Sequence, residues 1–261
     1  MVSGTELETF KTFAGRLADA SGAMIREAMG RAISGTAKGD GSPVTAIDQG
    51  VEDRIRELIA ETYPDHGIVG EELGSSAPDS EFVWVLDPID GTLPFLAGIP
   101  VFGTLIALLR GAEPVLGVID IPATQERWIG CQGMMTTRNG EPVTVRACEN
   151  LSTALLSTSN PDYYGEADVP ALQRLRAATR WTVYGGSCMA YAQIASGRID
   201  LGIDVAFDPF DYLALVPVIR GAGGVITDWD GNLLTLDSDD RFIAAGDSRV
   251  HAQALAVLNQ R

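Results

Sequence analysis

The chain has 261 residues, 46% of them hydrophobic, with 29 glycines and 13 prolines, enough for one large or two modest globular layers with an ample core. Nineteen basic against 35 acidic residues give a formal charge of −16, which disfavours nucleic acid and anionic membranes as partners and makes an anionic substrate dependent on locally bound cations. Cys131, Cys148 and Cys188 are odd in number and lack CxxC spacing, so neither a disulfide framework nor a thiolate zinc site is expected, and a reducing cytoplasm fits.

The opening Val2-Ser3-Gly4-Thr5-Glu6 has no charged-then-apolar signal pattern and reads as a loop entering a helix. Leu7, Phe10, Phe13, Ala14, Leu17, Met24, Ile25 and Ala28 recur at helical spacing behind a capping box, Ser3 with Glu6 or Thr5 with Glu8, so the first thirty residues form one long helix. A loop over 34–44 leads to a second amphipathic helix with Val51, Ile55, Leu58 and Ile59 on one face, closed by Tyr63-Pro64. Strands are expected over 67–70, 82–86, 101–109, 115–121 and 126–131, and their short connections favour antiparallel pairing. The apolar stretch from Leu93 to Leu109 is broken by Pro94, Gly98, Pro100 and Gly103 and reads as a buried loop and strand, not a membrane span. Beyond residue 150, strands over 154–158, 181–184, 201–203, 224–227 and 241–244 alternate with helices over 169–178, 189–196, 212–221 and 248–258. The pattern is a layered α+β or α/β chain, with a weakly marked boundary between an N-terminal half, 1–150, and a C-terminal half, 151–261.

The most informative segment is Asp87-Pro88-Ile89-Asp90-Gly91-Thr92, directly after the apolar run Phe82 to Leu86. A buried strand there delivers two carboxylates, a turn and a hydroxyl to one point, which suits a hard cation beside a phosphate. Three further pieces have the same chemical character: Lys38-Gly39-Asp40-Gly41-Ser42-Pro43-Val44-Thr45-Ala46-Ile47-Asp48, then Gly70-Glu71-Glu72, then Asp208-Pro209-Phe210-Asp211 ahead of a helix ending in Gly221-Ala222-Gly223-Gly224. Each also has a purely structural reading. Asp-Pro and Asp-Gly form turns, Lys38 and Glu71-Glu72 suit a solvated surface, and Asp208 or Asp211 can cap the helix beginning near Tyr212. Their occurrence together and in order favours the metal reading.

These motifs, in this order and at these spacings over nearly the whole chain, resemble the inositol monophosphatase family of magnesium-dependent, lithium-sensitive phosphomonoesterases. The resemblance implies an α/β/α/β/α layered sandwich like that of the inositol monophosphatases and fructose-1,6-bisphosphatases. It implies that Glu71, Asp87, the Ile89 carbonyl and Asp90 hold metal, that Asp211 completes a second site, and that Thr92 pairs with Asp48 near the first ion. Glu71, Thr92 and Asp48 would be catalytic, with Asp90, Gly91, Thr92, Ser187, Asp204 and Asp211 contacting substrate and Lys38 beside the site. Two or three Mg2+ ions would be held, with Mn2+ as a substitute and Li+ and Ca2+ as inhibitors, in a cytoplasmic homodimer acting on a small phosphorylated metabolite.

The chemistry of the residues agrees with that set. Magnesium prefers octahedral oxygen coordination from a few carboxylates, a carbonyl and phosphate, and crowded carboxylates without a cation would hold at least one proton. Rival motifs fail. The aspartates of Asp87-Pro88-Ile89-Asp90 are three apart, so an Asp-x-Asp nucleophile would not face its acid partner. Gly185-Gly186-Ser187-Cys188 is an incomplete nucleophile elbow, and His66 and His251 give zinc chemistry no support.

Pro209-Phe210-Asp211-Tyr212-Leu213-Ala214, Gly221 to Trp229, Phe102 to Leu108 and Tyr184-Gly185-Gly186 are similar to the bacterial histidinol-phosphate phosphatases of the family. Two positions depart from them: Leu93-Pro94 stands where Lys or Arg and Ser are common, and Ser187 where Asp is common. Histidinol phosphate is therefore the first expectation for substrate. Inositol 1-phosphate or another sugar or polyol phosphate is the alternative, and a silent metal- or phosphate-binding protein is the reading from another class. Asp204, seven residues before Asp211, is expected to receive the ammonium of histidinol or the hydroxyls of a sugar.

Overall fold

The computed structural model describes residues 2–39 and 43–260, so Asp40, Gly41 and Ser42 of the Lys38 to Asp48 motif lie outside the described residues. Among the described residues the N-terminal part runs α1 (Gly4–Met29), β1 (Gly35–Ala37), β2 (Pro43–Thr45), α2 (Ala46–Thr62), β3 (Gly67–Gly70), β4 (Gly74–Ser76), β5 (Phe82–Asp90) and α3 (Thr92–Ala97). There follow β6 (Gly103–Arg110), β7 (Glu113–Ile121), β8 (Glu126–Cys131), β9 (Thr137–Arg138), β10 (Glu141–Pro142), β11 (Leu155–Thr158), α4 (Val169–Ala178) and β12 (Trp181–Tyr184). The chain closes with α5 (Ser187–Ala195), β13 (Leu201–Asp204), α6 (Pro209–Tyr212), α7 (Leu215–Gly221), β14 (Val225–Asp228), β15 (Phe242–Ala245) and α8 (Ser248–Leu258).

The strands are apolar at successive positions because both faces of each sheet are covered. In β5, Trp84 and Leu86 pack beneath α1 and α2, whereas Val83 and Val85 pack on the opposite side against α5 and α7. The same alternation recurs in β15, where Phe242 and Ala244 join that central helical layer and Ile243 and Ala245 join α4 and α8. The result is five layers: α1 and α2, an eight-stranded sheet, α5 to α7, a five-stranded sheet, and α4 with α8. This is the layered sandwich expected from the sequence.

The large sheet runs β10-β9-β8-β7-β6-β5-β3-β4 and the small one β12-β11-β13-β15-β14. Antiparallel pairing holds from β5 through β10, but β3 and β5 are parallel, because β4 turns back along the outer edge before the chain re-enters the sheet. The long stretch read as loop and strand contains the short helix α3 ahead of β6. The helix expected over 212–221 is two, α6 and α7, with Leu213 and Ala214 between them. Among the described residues no helix is long and apolar enough to cross a membrane.

Candidate active site

Strand β5 runs on through the Asp87 to Asp90 motif instead of ending before it. In a regular strand, residues three apart face opposite sides of the sheet. Here Asp87 pairs with Leu105 and Asp90 with Gly103, so β5 holds one more residue than β6 between those pairs. This bulge falls at Pro88-Ile89, where proline has no N–H to give to the ladder, and Thr104 Oγ1 donates to the Pro88 carbonyl at 2.9 Å. The extra residue restores Asp87 and Asp90 to one face, the face toward the central helices. The bulge is thus what lets two aspartates three apart reach one point, as the metal reading of the motif requires.

Asp211 arrives from α6, and one oxygen from each of Asp87, Asp90 and Asp211 lies within 4.8 Å of the others. Asp211 Oδ2 accepts from the Asp208 N–H at 2.7 Å, closing the one-turn helix that presents it. Capping and site geometry thus coexist in one residue. Asp90 accepts from the Cys188 N–H at 2.6 Å, whereas Asp87 Oδ1 is buried with no hydrogen-bond partner among the described residues. Burial raises all three carboxyls, and the charges of Glu71 and the neighbouring aspartates add to the rise for Asp87 and Asp211; Asp90 is pushed up to about 6. Three converging carboxylates, one with an unpartnered buried oxygen, are a donor set for a hard cation, and Mg2+ fits it.

Glu71 stands at the end of β3 within hydrogen-bonding reach of Asp87, and Lys38 Nζ lies 2.7 Å from both Glu71 and Glu72. Burial opposes the charge on Lys38, but the bonds it donates to the two glutamates raise its pKa. Thr92 Oγ1 is 3.3 Å from Asp48 Oδ1 and 3.2 Å from the Ile89 carbonyl, which brings the expected hydroxyl, carboxylate and carbonyl together. Asp48 is held from behind by Thr45, whose N–H donates at 2.9 Å in a capping box at the start of α2. Burial raises the Asp48 carboxyl, and its bonds from Thr45 and Thr92 oppose the rise.

Gly91 has φ +82°, and a Cβ there would meet Ser187 Oγ at 2.6 Å, so only glycine lets the turn after Asp90 pass the start of α5. Ser187 itself has φ +45°, a strained conformation for a residue with a side chain.

The model of the inositol monophosphatase family matches residues 6–261. The chain belongs to the inositol monophosphatase family. It is 45% identical to the bifunctional phosphatase IMPL2 of Arabidopsis thaliana, over 98% of this chain and 77% of that one. It is 32% identical to a histidinol-phosphatase of Chlorobaculum parvum, over 85% of this chain and 87% of the relative. A solved inositol monophosphatase from Zymomonas mobilis superposes with a TM-score of 0.91 at 37% identity, over 99% of this chain and all of that one. The protein is accordingly a phosphoric monoester hydrolase of a metal-dependent family that acts on small phosphorylated substrates.

One expected substrate contact is already bonded within the protein. Asp204 is 3% exposed, and its carboxylate accepts from the Ser159 N–H at 2.7 Å, Ser159 Oγ at 2.5 Å, Thr158 Oγ1 at 3.1 Å and Tyr191 Oη at 2.6 Å. Three of these donors meet at Oδ1 and one at Oδ2, so the buried carboxylate is engaged chiefly by the protein's own groups. Motif reading missed these partners, as it missed Thr45, although Thr45-Ala46-Ile47-Asp48 is a legible capping signature.

Two outcomes follow from the buried charges. In the metal-free protein the raised Asp90 carboxyl binds more protons when folded than when unfolded, so stability is highest below about pH 4 for this group and falls as pH rises toward about 6. Asp90→Asn should flatten that fall and raise the metal-free melting temperature at pH 7 by about 2–4 °C, the equivalent of roughly 1 kcal/mol in a domain of this size. Thermal melts across pH in chelator measure it, and an unchanged or lower midpoint counts against repulsion in the cluster. Asp204→Asn, by contrast, sets an amide NH2 against hydroxyl and N–H donors and should destabilise the fold by about 1–3 kcal/mol. It should lower turnover of charged and uncharged phosphate esters alike; a selective loss on an ammonium-bearing ester would restore Asp204 as a substrate contact.

Proposed function

We propose that this enzyme hydrolyses a small phosphomonoester with Mg2+, and that the substrate is L-histidinol phosphate, in histidine biosynthesis. The observation that carries the hydrolytic reading is the convergence of Asp87, Asp90 and Asp211, from two sequence-distant halves, beside Glu71 and the Thr92–Asp48 pair. That convergence also supports treating 1–150 and 151–261 as one catalytic unit. Glu71, Asp87, the Ile89 carbonyl, Asp90 and Asp211 would hold two or three Mg2+ ions, with Mn2+ able to substitute and Li+ or Ca2+ inhibitory. Such ions supply an acidified water and neutralise charge on phosphate and leaving oxygen.

The protein's own part is orientation and proton handling. The Thr92 hydroxyl, donating to Asp48, holds the attacking water in line and passes its proton toward a carboxylate whose raised pKa suits a base. Glu71 orients the same water from the other side, and Lys38 keeps Glu71 in place. Gly91, Thr92 and Ser187 line the path of the substrate where β5 meets α5. The histidinol-phosphatase among the relatives supports the choice of substrate, and the solved inositol monophosphatase supports inositol 1-phosphate as the second reading.

We also propose a homodimer. The outer edge of β12 is unpaired among the described residues, with Trp181 61% exposed, and edge strands of this kind invite pairing with another copy. A cytoplasmic location is supported by Cys131, Cys148 and Cys188, all free and buried.

Phosphate release from a panel of histidinol phosphate, inositol 1-phosphate, fructose 1,6-bisphosphate and glycerol phosphate tests the reading. Histidinol phosphate should give the highest kcat/KM, and excess chelator should abolish turnover. Faster hydrolysis of inositol 1-phosphate would transfer the assignment to the second reading, and no turnover of any ester at saturating Mg2+ would leave a binding protein. Thr92→Ala should lower kcat on the order of 100-fold with metal affinity nearly unchanged. Calorimetric titration beside steady-state kinetics separates these, since a parallel loss of metal affinity would make the hydroxyl a metal ligand first.

A further inference from the structure

Glu52 is a carboxylate with no exposed surface, one helical turn beyond Asp48 on α2. Its Oε2 accepts from the Glu72 N–H at 2.8 Å, and its Oε1 accepts from the Leu73 N–H at 3.2 Å and from Arg56 Nε at 2.8 Å. Arg56 reaches on to donate to the Gly74 carbonyl, so one ion pair grips the turn after β3 at both ends. Gly70 leaves room for this grip, because a Cβ there would overlap the Glu52 carboxylate. The other side of the turn is fixed to β5 by the Glu71 N–H, which donates to the Leu86 carbonyl at 3.1 Å, next to Asp87.

We propose that Glu52 is a positioning residue that sets Glu71 against the Asp87–Asp90–Asp211 cluster. The proposal rests on the reading of Glu71 as a metal ligand. Glu52 has no exposed surface and holds the N–H groups of Glu72 and Leu73, so its action on the site passes through the backbone of residues 72 and 73. A carboxylate is suited to the task, since its charge-assisted bonds to N–H groups are stronger than those an amide would make. Asp48 and Glu52 lie at i and i+4, on one face of α2 and about 6 Å apart along its axis. The helix thus carries one carboxylate bonded to Thr92 and another bonded to the turn of Glu71, and fixes the spacing between the water-orienting pair and the metal-facing glutamate.

Glu52→Gln preserves the shape but turns an NH2 group toward one of the three donors. Titrated with Mg2+ and with Mn2+ by calorimetry, this variant should bind about 10–100-fold more weakly, the range found when a group supporting a metal ligand is removed. At saturating metal its KM should stay near native. A double-mutant cycle with Glu71→Ala supplies the readout that general damage would not move: in that background Glu52→Gln should add little further loss of metal affinity. Native metal affinity in Glu52→Gln, or a loss that multiplies in full with Glu71→Ala, would overturn the role. Should Glu52→Gln fail to fold, Arg56→Gln, which loosens the same grip nearer the surface, is judged by the same two criteria. A native protein that binds neither cation would overturn the metal-site reading, and the role of Glu52 with it. Native binding that survives in the variant overturns the role of Glu52 alone.

Discussion

The architecture is organised around a cost: three aspartates must be held together where water is largely excluded. Bringing ionised carboxylates into a protein interior carries an effective penalty of several kcal/mol per group, and mutual repulsion adds to it. The structure tolerates this only because each carboxylate is presented by an element anchored elsewhere. Asp87 and Asp90 sit on a central strand flanked by β3 and β6, Asp211 on a one-turn helix closed by its own side chain, and Asp48 on a helix whose cap it completes. A cation in the cluster would turn the repulsion into attraction, so binding and folding are linked in the same residues.

The apolar layers supply the rigidity that this arrangement requires. Because both sheets are covered on both faces, the strand that carries the motif cannot slip by one residue without sending Trp84 and Leu86 toward the central helices and Val83 and Val85 toward α1 and α2. Register is thereby fixed on the N-terminal side of the motif by packing. On its C-terminal side register is fixed by the Pro88 bulge and by Thr104, whose hydroxyl holds the Pro88 carbonyl and contacts Ser21 of α1. The hydrophobic pattern therefore sets the aim of the carboxylates as well as the stability of the fold.

Much of this was legible in the residues alone. The helical period over the first thirty residues, the β-branched runs and the turn residues between them placed most elements within a few positions, because these segments obey local rules that tertiary packing reinforces. What was not legible depended on contacts across the sheets. The motif brought Asp87 and Asp90 to one point, but only the pairing to β6 shows the extra residue that makes this possible within a strand. Loop length alone made β3 and β5 antiparallel, whereas β4, three residues without one buried side chain, reverses the chain between them. Asp204 carried no sign that Ser159, just after β11, and Tyr191 of α5 would converge on it, and no motif singled out Glu52.

The commitment of Asp204 to the protein moves the question of substrate choice to the rim of the site. Leu93-Pro94 lies in the first turn of α3, where a helix has no carbonyl partner for its N–H groups and proline costs nothing in hydrogen bonding. The first N–H in this turn to find an intrahelical partner is that of Phe95, which donates to the Gly91 carbonyl at 2.9 Å, so Pro94 leaves the turn intact. Leu93 is 51% exposed, so it stands at the solvent boundary and not within the carboxylate cluster. A departure at that depth leaves the buried carboxylates unchanged and, on the proposed function, would act on the part of the substrate beyond the phosphate. On the function proposed above, hydrolysis would depend on the buried end of β5 and selectivity on the exposed start of α3, two layers of the same strand-to-helix junction.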